Sequence, residues 1–436
     1  MRGAIAAGIR ARDGQRDVAG FVAQQLPALV GFSILAADGV AAGGYFPRAW
    51  RLTTFALVAF TAAALIARRR IVLGWAERWL LAAFGALLVW TTLSTRWSGY
   101  PRTSILEGER TVVYVAGVAA VLLCVERPEL PRLLGGALAG VTAASAYGLV
   151  KYLFFGHPLT TIQGKLLFEP IGYANALGLY AAIGLLLALG LALRTPGWAR
   201  WVCAASGIVL VPTLYLTSSR GAWIGFAAGV ATLLVLTHRA SPALAVLFAA
   251  LAAALFVAVG VVSHQRAIVS LAGENRPRYW QVAWREYEDN PILGSGAGTF
   301  DEYWLQYRTV PSFARDAHSL YLESLAELGP LGLGLVVAAL GLPLLALRRD
   351  LDSVGATAAA GYVAYLIHTG LDWDWELSAV TLAGLLCGAA LLVAARDGSA
   401  RELSASTRLA LLAAALAFAV LALVRLETGP SLPFAS

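Results

Sequence analysis

Apolar positions in this chain come in long blocks, separated mostly by short polar turns. Thirteen blocks read as membrane spans: 22–43, 52–67, 75–93, 111–125, 131–154, 172–193, 201–217, 221–237, 242–262, 328–347, 354–371, 376–395 and 408–424. A spanning helix needs about 20 apolar residues. The first block is broken up by Gln24, Gln25, Asp38 and several glycines, and the fourth is short. The pattern predicts an all-α polytopic integral membrane protein with 12–13 transmembrane helices. Residues 1–436 then form a single transmembrane domain, with no short repeat and no separate soluble domain. One polar stretch stands apart, residues 263–326, between the ninth and tenth blocks. A loop this long usually carries function, and it is expected to hold part of the active site and short interfacial helices.

Charge fixes an expected orientation. With the basic N-terminus inside, the inward turns are 68–70, 126–132, 193–200, 238–240, 348–352 and 396–401, and each carries Arg. That obeys the positive-inside rule along the whole chain. The long loop, the 155–171 loop, the Thr217–Arg220 turn and the 371–376 turn then share the external face. The N-terminal stretch shows no cleavable-signal pattern.

Composition narrows the class further. Charged residues are 14% of the chain and hydrophobic ones 59%, against about 25% charged in soluble domains. The net charge of +7 belongs to arginines that hold inward turns, so nucleic acid is not an expected partner; membrane lipids are. Cys124, Cys203 and Cys387 sit singly in apolar blocks, without the paired spacing of a disulfide framework or metal site.

The candidate chemistry lies on the external side. Arg220, in TLYLTSSRGAW, sits at the outer end of two spans. Its planar guanidinium matches phosphate oxygens, although an interfacial anchor is the plainer reading. Arg276 and Arg278 flank a proline in ENRPRYW and are further anion candidates. Trp280, Trp284 and Tyr287 recur at helical spacing, as on an amphipathic helix lying on a bilayer. Gly294, Gly296 and Gly298 form no dinucleotide fingerprint, because no strand precedes them. They predict a tight turn that brings backbone close to a ligand or another helix. His318 opens HSLYLESLA; read as helical, it shares a face with Leu322 and Leu325. It is either a packed structural histidine or a general base. Asp372 and Asp374 form one D-x-D string and Asp350 and Asp352 another, weak signals for a metal. Lys165 is a further possible phosphate contact, and His157 and His368 fall near the outer face by chance placement.

Six motifs in order carry a resemblance: GYANALGLYAAI, LTSSRGAWIGFAAG, Arg276 four residues before Trp280, NPILGSGAGTF, HSLYLESLAELGPLG and HTGLDWDWELSA. Over roughly residues 75–395 the chain resembles the O-antigen ligase family and its polymerase relatives. The resemblance implies a bacterial inner-membrane glycosyltransferase working on the external face. It implies transfer of an undecaprenyl-diphosphate-linked glycan to a lipid or glycan acceptor hydroxyl with inversion, with no cofactor and no metal. Arg220 and Arg276 match the family's diphosphate-contacting arginines, and His318 its proposed base. Tyr173 and Asn175 lie in a family motif. The thirteenth block exceeds the family's usual twelve. The acidic DWDWE turn departs from an anion site, and would instead pair with an arginine or face the acceptor sugar.

Within that reading stand a glycan ligase, and beside it a polysaccharide polymerase or protein O-oligosaccharyltransferase; only the acceptor separates them. A flippase or transporter of lipid-linked glycan is the alternative of another class. Transporters place ionisable groups at mid-span, whereas here the polar residues gather on one face.

Overall fold

The computed structural model describes residues 25–156, 163–238 and 275–428. The ninth expected span (242–262), the start of the long loop and His157 lie outside the described residues. Each of the other twelve expected spans is helical. In chain order the helices are α1 (Gln25–Val40), α2 (Pro47–Ala67), α3 (Trp75–Leu93), α4 (Pro101–Cys124), α5 (Leu130–Val150) and α6 (Ala174–Arg194). Then come α7 (Trp198–Ala205), α8 (Gly207–Thr217) and α9 (Arg220–His238). After these follow α10 (Arg276–Asp289), α11 (Phe300–Tyr307), α12 (Leu320–Gly341), α13 (Ser353–Thr369), α14 (Ser378–Ala394) and α15 (Ala405–Thr428). Eight helical segments among the described residues are long and apolar enough to cross a membrane. The chain is an all-α polytopic membrane protein.

Two elements differ from the hydropathy reading for a physical reason. α4 begins at Pro101 rather than near 111, and its early turns carry Glu107, Glu109 and Arg110. These charges are paired inside the protein, so they cost little there while masking the span. α12 begins at Leu320 and is broken at Gly329, whose φ of +69° only glycine adopts easily, with Pro330 next to it. The last residues assigned to the loop are therefore the first turns of a helix.

α13 occupies the centre, against α6, α9 and α14. Its Ala356, Ala358, Ala359, Ala360, Tyr362 and Ala364 are fully buried. Gly225 and Gly229 of α9 let the two backbones approach: a Cβ there would stand 2.9 and 2.8 Å from the carbonyl oxygens of Ala364 and Ala360. Small residues that permit such approach are the usual means of joining helices in a membrane.

The Arg-bearing turns gather on one side of the bundle. Arg68 bridges Glu126 and Glu129 at 2.9 Å each, Arg127 reaches Asp352 at 3.5 Å, and Arg349 reaches Asp397 at 2.9 Å. A two-residue antiparallel pair, β1 (Val72–Leu73) with β2 (Arg401–Glu402), closes the same face. Four of the six turns expected inside are thus tied together. At the opposite end the long loop has its own small core, with Tyr279, Val282 and Ala283 of α10 packed on Phe300 and Trp304 of α11 and on Ala314, Ala317 and Ala326.

Candidate active site

The turn between α13 and α14 sets the geometry. The carbonyl of His368, near the end of α13, accepts from the backbone N–H groups of Leu371 and Asp372 at 2.8 and 3.0 Å. This tight turn aims the Asp372 carboxylate at the loop, where it is almost fully buried. Tyr173, the extended residue before α6, donates its hydroxyl to Oδ1 at 2.8 Å. Asn175, in the first turn of α6, donates to Oδ2 at 2.6 Å and to the Tyr173 hydroxyl at 2.8 Å. Arg276, the first residue of α10, donates Nη2 to Oδ2 at 2.6 Å. His318 Nε2 stands 3.9 Å from Oδ1. Tyr173, Arg276 and His318 come from three distant parts of the chain and meet on one carboxylate.

His318 is not helical. Its φ is +56°, and Ser319 caps α12 in extended conformation. A face shared with Leu322 and Leu325 is therefore replaced by a strained left-handed residue just upstream of the helix, which turns the ring away from the helix axis. The ring stacks on Tyr279 with centroids 4.8 Å apart. Its Nδ1 lies 3.0 Å from the carbonyl oxygen of Asp316. A carbonyl only accepts, so Nδ1 carries the proton and Nε2 presents a lone pair. Burial lowers the imidazole pKa below its ordinary value, against the pull of Asp372, so the ring is neutral at neutral pH. Burial alone would push the Asp372 carboxyl up; the Arg276 guanidinium outweighs it, and the group stays below its ordinary value.

Arg220 opens α9 next to this cluster. Ser218 turns the chain at φ +51°, and the Ser219 hydroxyl accepts from the Ala222 N–H at 3.2 Å, an N-cap. Gly221 faces the His368 ring, where a Cβ would stand 3.0 Å from Nε2. Arg220 is within electrostatic reach of Arg276. Asp374 lies behind Asp372, fully buried, with Oδ2 3.0 Å from His368 Nδ1.

Other candidates stand apart. Arg278 is exposed and donates to Asn275 Oδ1 at 2.9 Å. Lys165 is exposed, and its carbonyl accepts from Tyr152. Asp352 caps α13, its Oδ1 accepting from Gly355 N at 2.9 Å. The three loop glycines serve packing, with φ of +74°, +114° and +73°. A Cβ at Gly294 would collide with the Glu327 carbonyl, and one at Gly296 with Ser98.

Sequence reasoning did not find the buried charges beneath the turn. Glu376 Oε1 pairs with Arg110 at 2.6 Å, and Arg315 lies 3.8 Å from Glu376 and 3.6 Å from Glu107. Asp316, Glu323 and Glu376 bring carboxylate oxygens within 4.8 Å of one another, a grouping that could in principle hold a cation. Here two guanidinium groups supply positive charge. Burial and the neighbouring Glu376 push the Asp316 carboxyl well above its ordinary value, so it carries the proton it shares with Glu376. The acidic DWDWE turn is thereby explained: two of its three carboxylates hold arginines. The only sequence signal was that unexplained acidity.

No curated protein significantly matches the chain. Residues 205–337 match the protein-family model described as O-antigen ligase. That segment runs from the end of α7 into α12 and contains Arg220, Arg276, Arg278 and His318. Over that segment the match supports a likeness to the O-antigen ligase and polymerase superfamily, and with it ligase- or polymerase-type activity in general terms.

Proposed function

We propose that the protein transfers a glycan from a polyprenyl diphosphate, undecaprenyl diphosphate in a bacterial inner membrane, to an acceptor hydroxyl at the external face. The observation that carries this reading is the meeting of Arg276, Tyr173, Asn175 and His318 on Asp372, with Arg220 alongside. The acceptor oxygen attacks the anomeric carbon and forms the new glycosidic bond. The bond from that carbon to the diphosphate oxygen breaks, and the diphosphate departs with the electron pair. The acceptor proton passes to His318 Nε2, whose lone pair is set by the Asp316 carbonyl. The imidazolium that forms lies beside Asp372 and is stabilised by it.

Charge on the leaving group needs preorganised cations. Arg220 and Arg276 supply them. Asp372 takes only Nη2 of Arg276, which leaves other N–H donors of the fork for phosphate oxygens. In this reading Tyr173 and Asn175 orient Asp372. Asp374 backs the turn, while Arg278 and Lys165 lie outside the reacting cluster. The long loop contributes Arg276 and His318 to the site.

The test uses purified protein, an undecaprenyl-diphosphate glycan and candidate acceptors in EDTA. Release of undecaprenyl diphosphate by wild type, lost in His318→Ala and Arg220→Ala, supports the reading. The product separates a ligase from a polymerase or a protein O-oligosaccharyltransferase. No turnover with any acceptor, together with lipid flipping that survives both substitutions, would replace it with the transporter.

A further inference from the structure

We infer a second anion site, for the phosphate headgroup of an anionic phospholipid, in the crevice between α2, α4 and α15. Glu109 and Arg110 are neighbours on α4 but point to different faces. Arg110 supports the turn below Asp372, whereas Glu109 faces α2 and α15, so the crevice lies at the same level of the bundle as the candidate active site. Arg51 of α2 donates Nη2 to Glu109 Oε2 at 2.7 Å and Nη1 to the Arg425 carbonyl at 2.9 Å. Arg425 of α15 places Nε 2.7 Å from Glu109 Oε1. Two guanidinium groups thus share one carboxylate, and the cluster keeps a net positive charge.

The crevice is small, with about 20 Å³ open to water, and is lined by these three residues with Trp50, Thr54, Val112, Phe418 and Leu421. Trp50 is 1% exposed, and its indole N–H has no hydrogen-bond partner among the described residues. A buried donor without an acceptor costs about 1–3 kcal/mol, so a lipid oxygen reaching it restores what the fold leaves open. The Arg425 guanidinium remains partly exposed, with 30% of the side chain accessible, at the mouth of the crevice. A headgroup is favoured over a soluble anion because the outer side of α15 is bare. Leu416, Val420, Leu423 and Val424 are exposed on it, as on a helix whose outer side meets lipid chains. A phosphate in the crevice would carry its acyl chains onto that surface.

The experiment measures thermal unfolding of the full-length protein in neutral detergent, with added phosphatidylglycerol, phosphatidylcholine or inorganic phosphate. Wild type, Trp50→Phe and Arg425→Gln are compared by the shift each additive causes, so a lower starting stability does not confuse the result. Phosphatidylglycerol should raise the wild-type midpoint by about 2 °C or more, and the shift should at least halve in both variants. Trp50→Phe removes the N–H together with part of a buried ring, so each variant's shift is read against its own lipid-free midpoint. An undiminished shift in both variants, or none in wild type, would overturn the site. An equal shift from inorganic phosphate or phosphatidylcholine would overturn the assignment to an anionic lipid.

Discussion

At the residue scale the decisive group is Asp372, because it joins side chains that sequence distance separates. Tyr173 is 199 positions away and Arg276 is 96. In the sequence Arg220, Arg276 and His318 stand out through motif and chemistry. It does not show that the D-x-D aspartate is the partner of Arg276 and Tyr173, since a carboxylate beside an anion site looks wrong until its arginine is seen. His318 carries two predictions. His318→Ala should lower glycan transfer by about 10²–10⁴-fold, the range typical of a lost general base, with donor binding kept. The base works when neutral, and burial moves its pKa below 6.5. Transfer should therefore fall only as pH drops below 6.5, and a pH–rate profile checks this. An acid limb centred above 7 would exclude His318 as the titrating base.

At the element scale the long loop behaves as a small packed unit stapled to α12. Glu327 accepts from the N–H groups of Gly298, Thr299 and Phe300 at 2.7, 2.9 and 3.0 Å, which caps α11. Glu327→Ala takes the acceptor from three donors, of which those of Thr299 and Phe300 are buried, at about 1–3 kcal/mol for each buried one before relaxation. Trypsin should then cut the detergent-solubilised variant after Arg308 much faster than wild type; equal rates would show that the cap is dispensable. Glu286 of α10 is buried against Ser295 and Thr299, and burial raises its pKa from 4.5 to about 7. Between those values the folded state binds more protons than the unfolded one, so stability falls as pH rises. The loss approaches about 3 kcal/mol, and Glu286→Gln should flatten that part of the melting-temperature profile. A profile as steep as wild type would place the titration elsewhere. None of this was legible in the sequence, which gave the glycine spacing and the amphipathic α10 but not their partners. Hydropathy reports contact with lipid, and these groups contact protein. The same reason hid the first turns of α4, whose charges pair internally.

At the scale of the whole molecule the sequence was most informative, because spans and Arg-bearing turns are set by the bilayer rather than by any particular contact. The ion pairs linking residues 68–70, 126–132, 348–352 and 396–401 put four predicted inward turns on one side. The cluster around Asp372 lies at the other end. Sidedness in a cell still rests on the charge rule, and labelling can test it. Cysteines would be introduced singly at Gln306, on the exposed side of α11, and at Gly398, in the exposed turn before β2 where a side chain meets no atom within 4 Å. The native cysteines would first be replaced by alanine. In intact spheroplasts a membrane-impermeant maleimide should label position 306 and leave position 398 unlabelled until the membrane is opened. The reverse result would turn the molecule over and put the proposed site on the cytoplasmic face, where a donor already carried outward could not reach it. Labelling of both sites in sealed spheroplasts would mean that the polypeptide inserts in two orientations. In that case the arginines of the inward turns would not be what fixes it in the membrane.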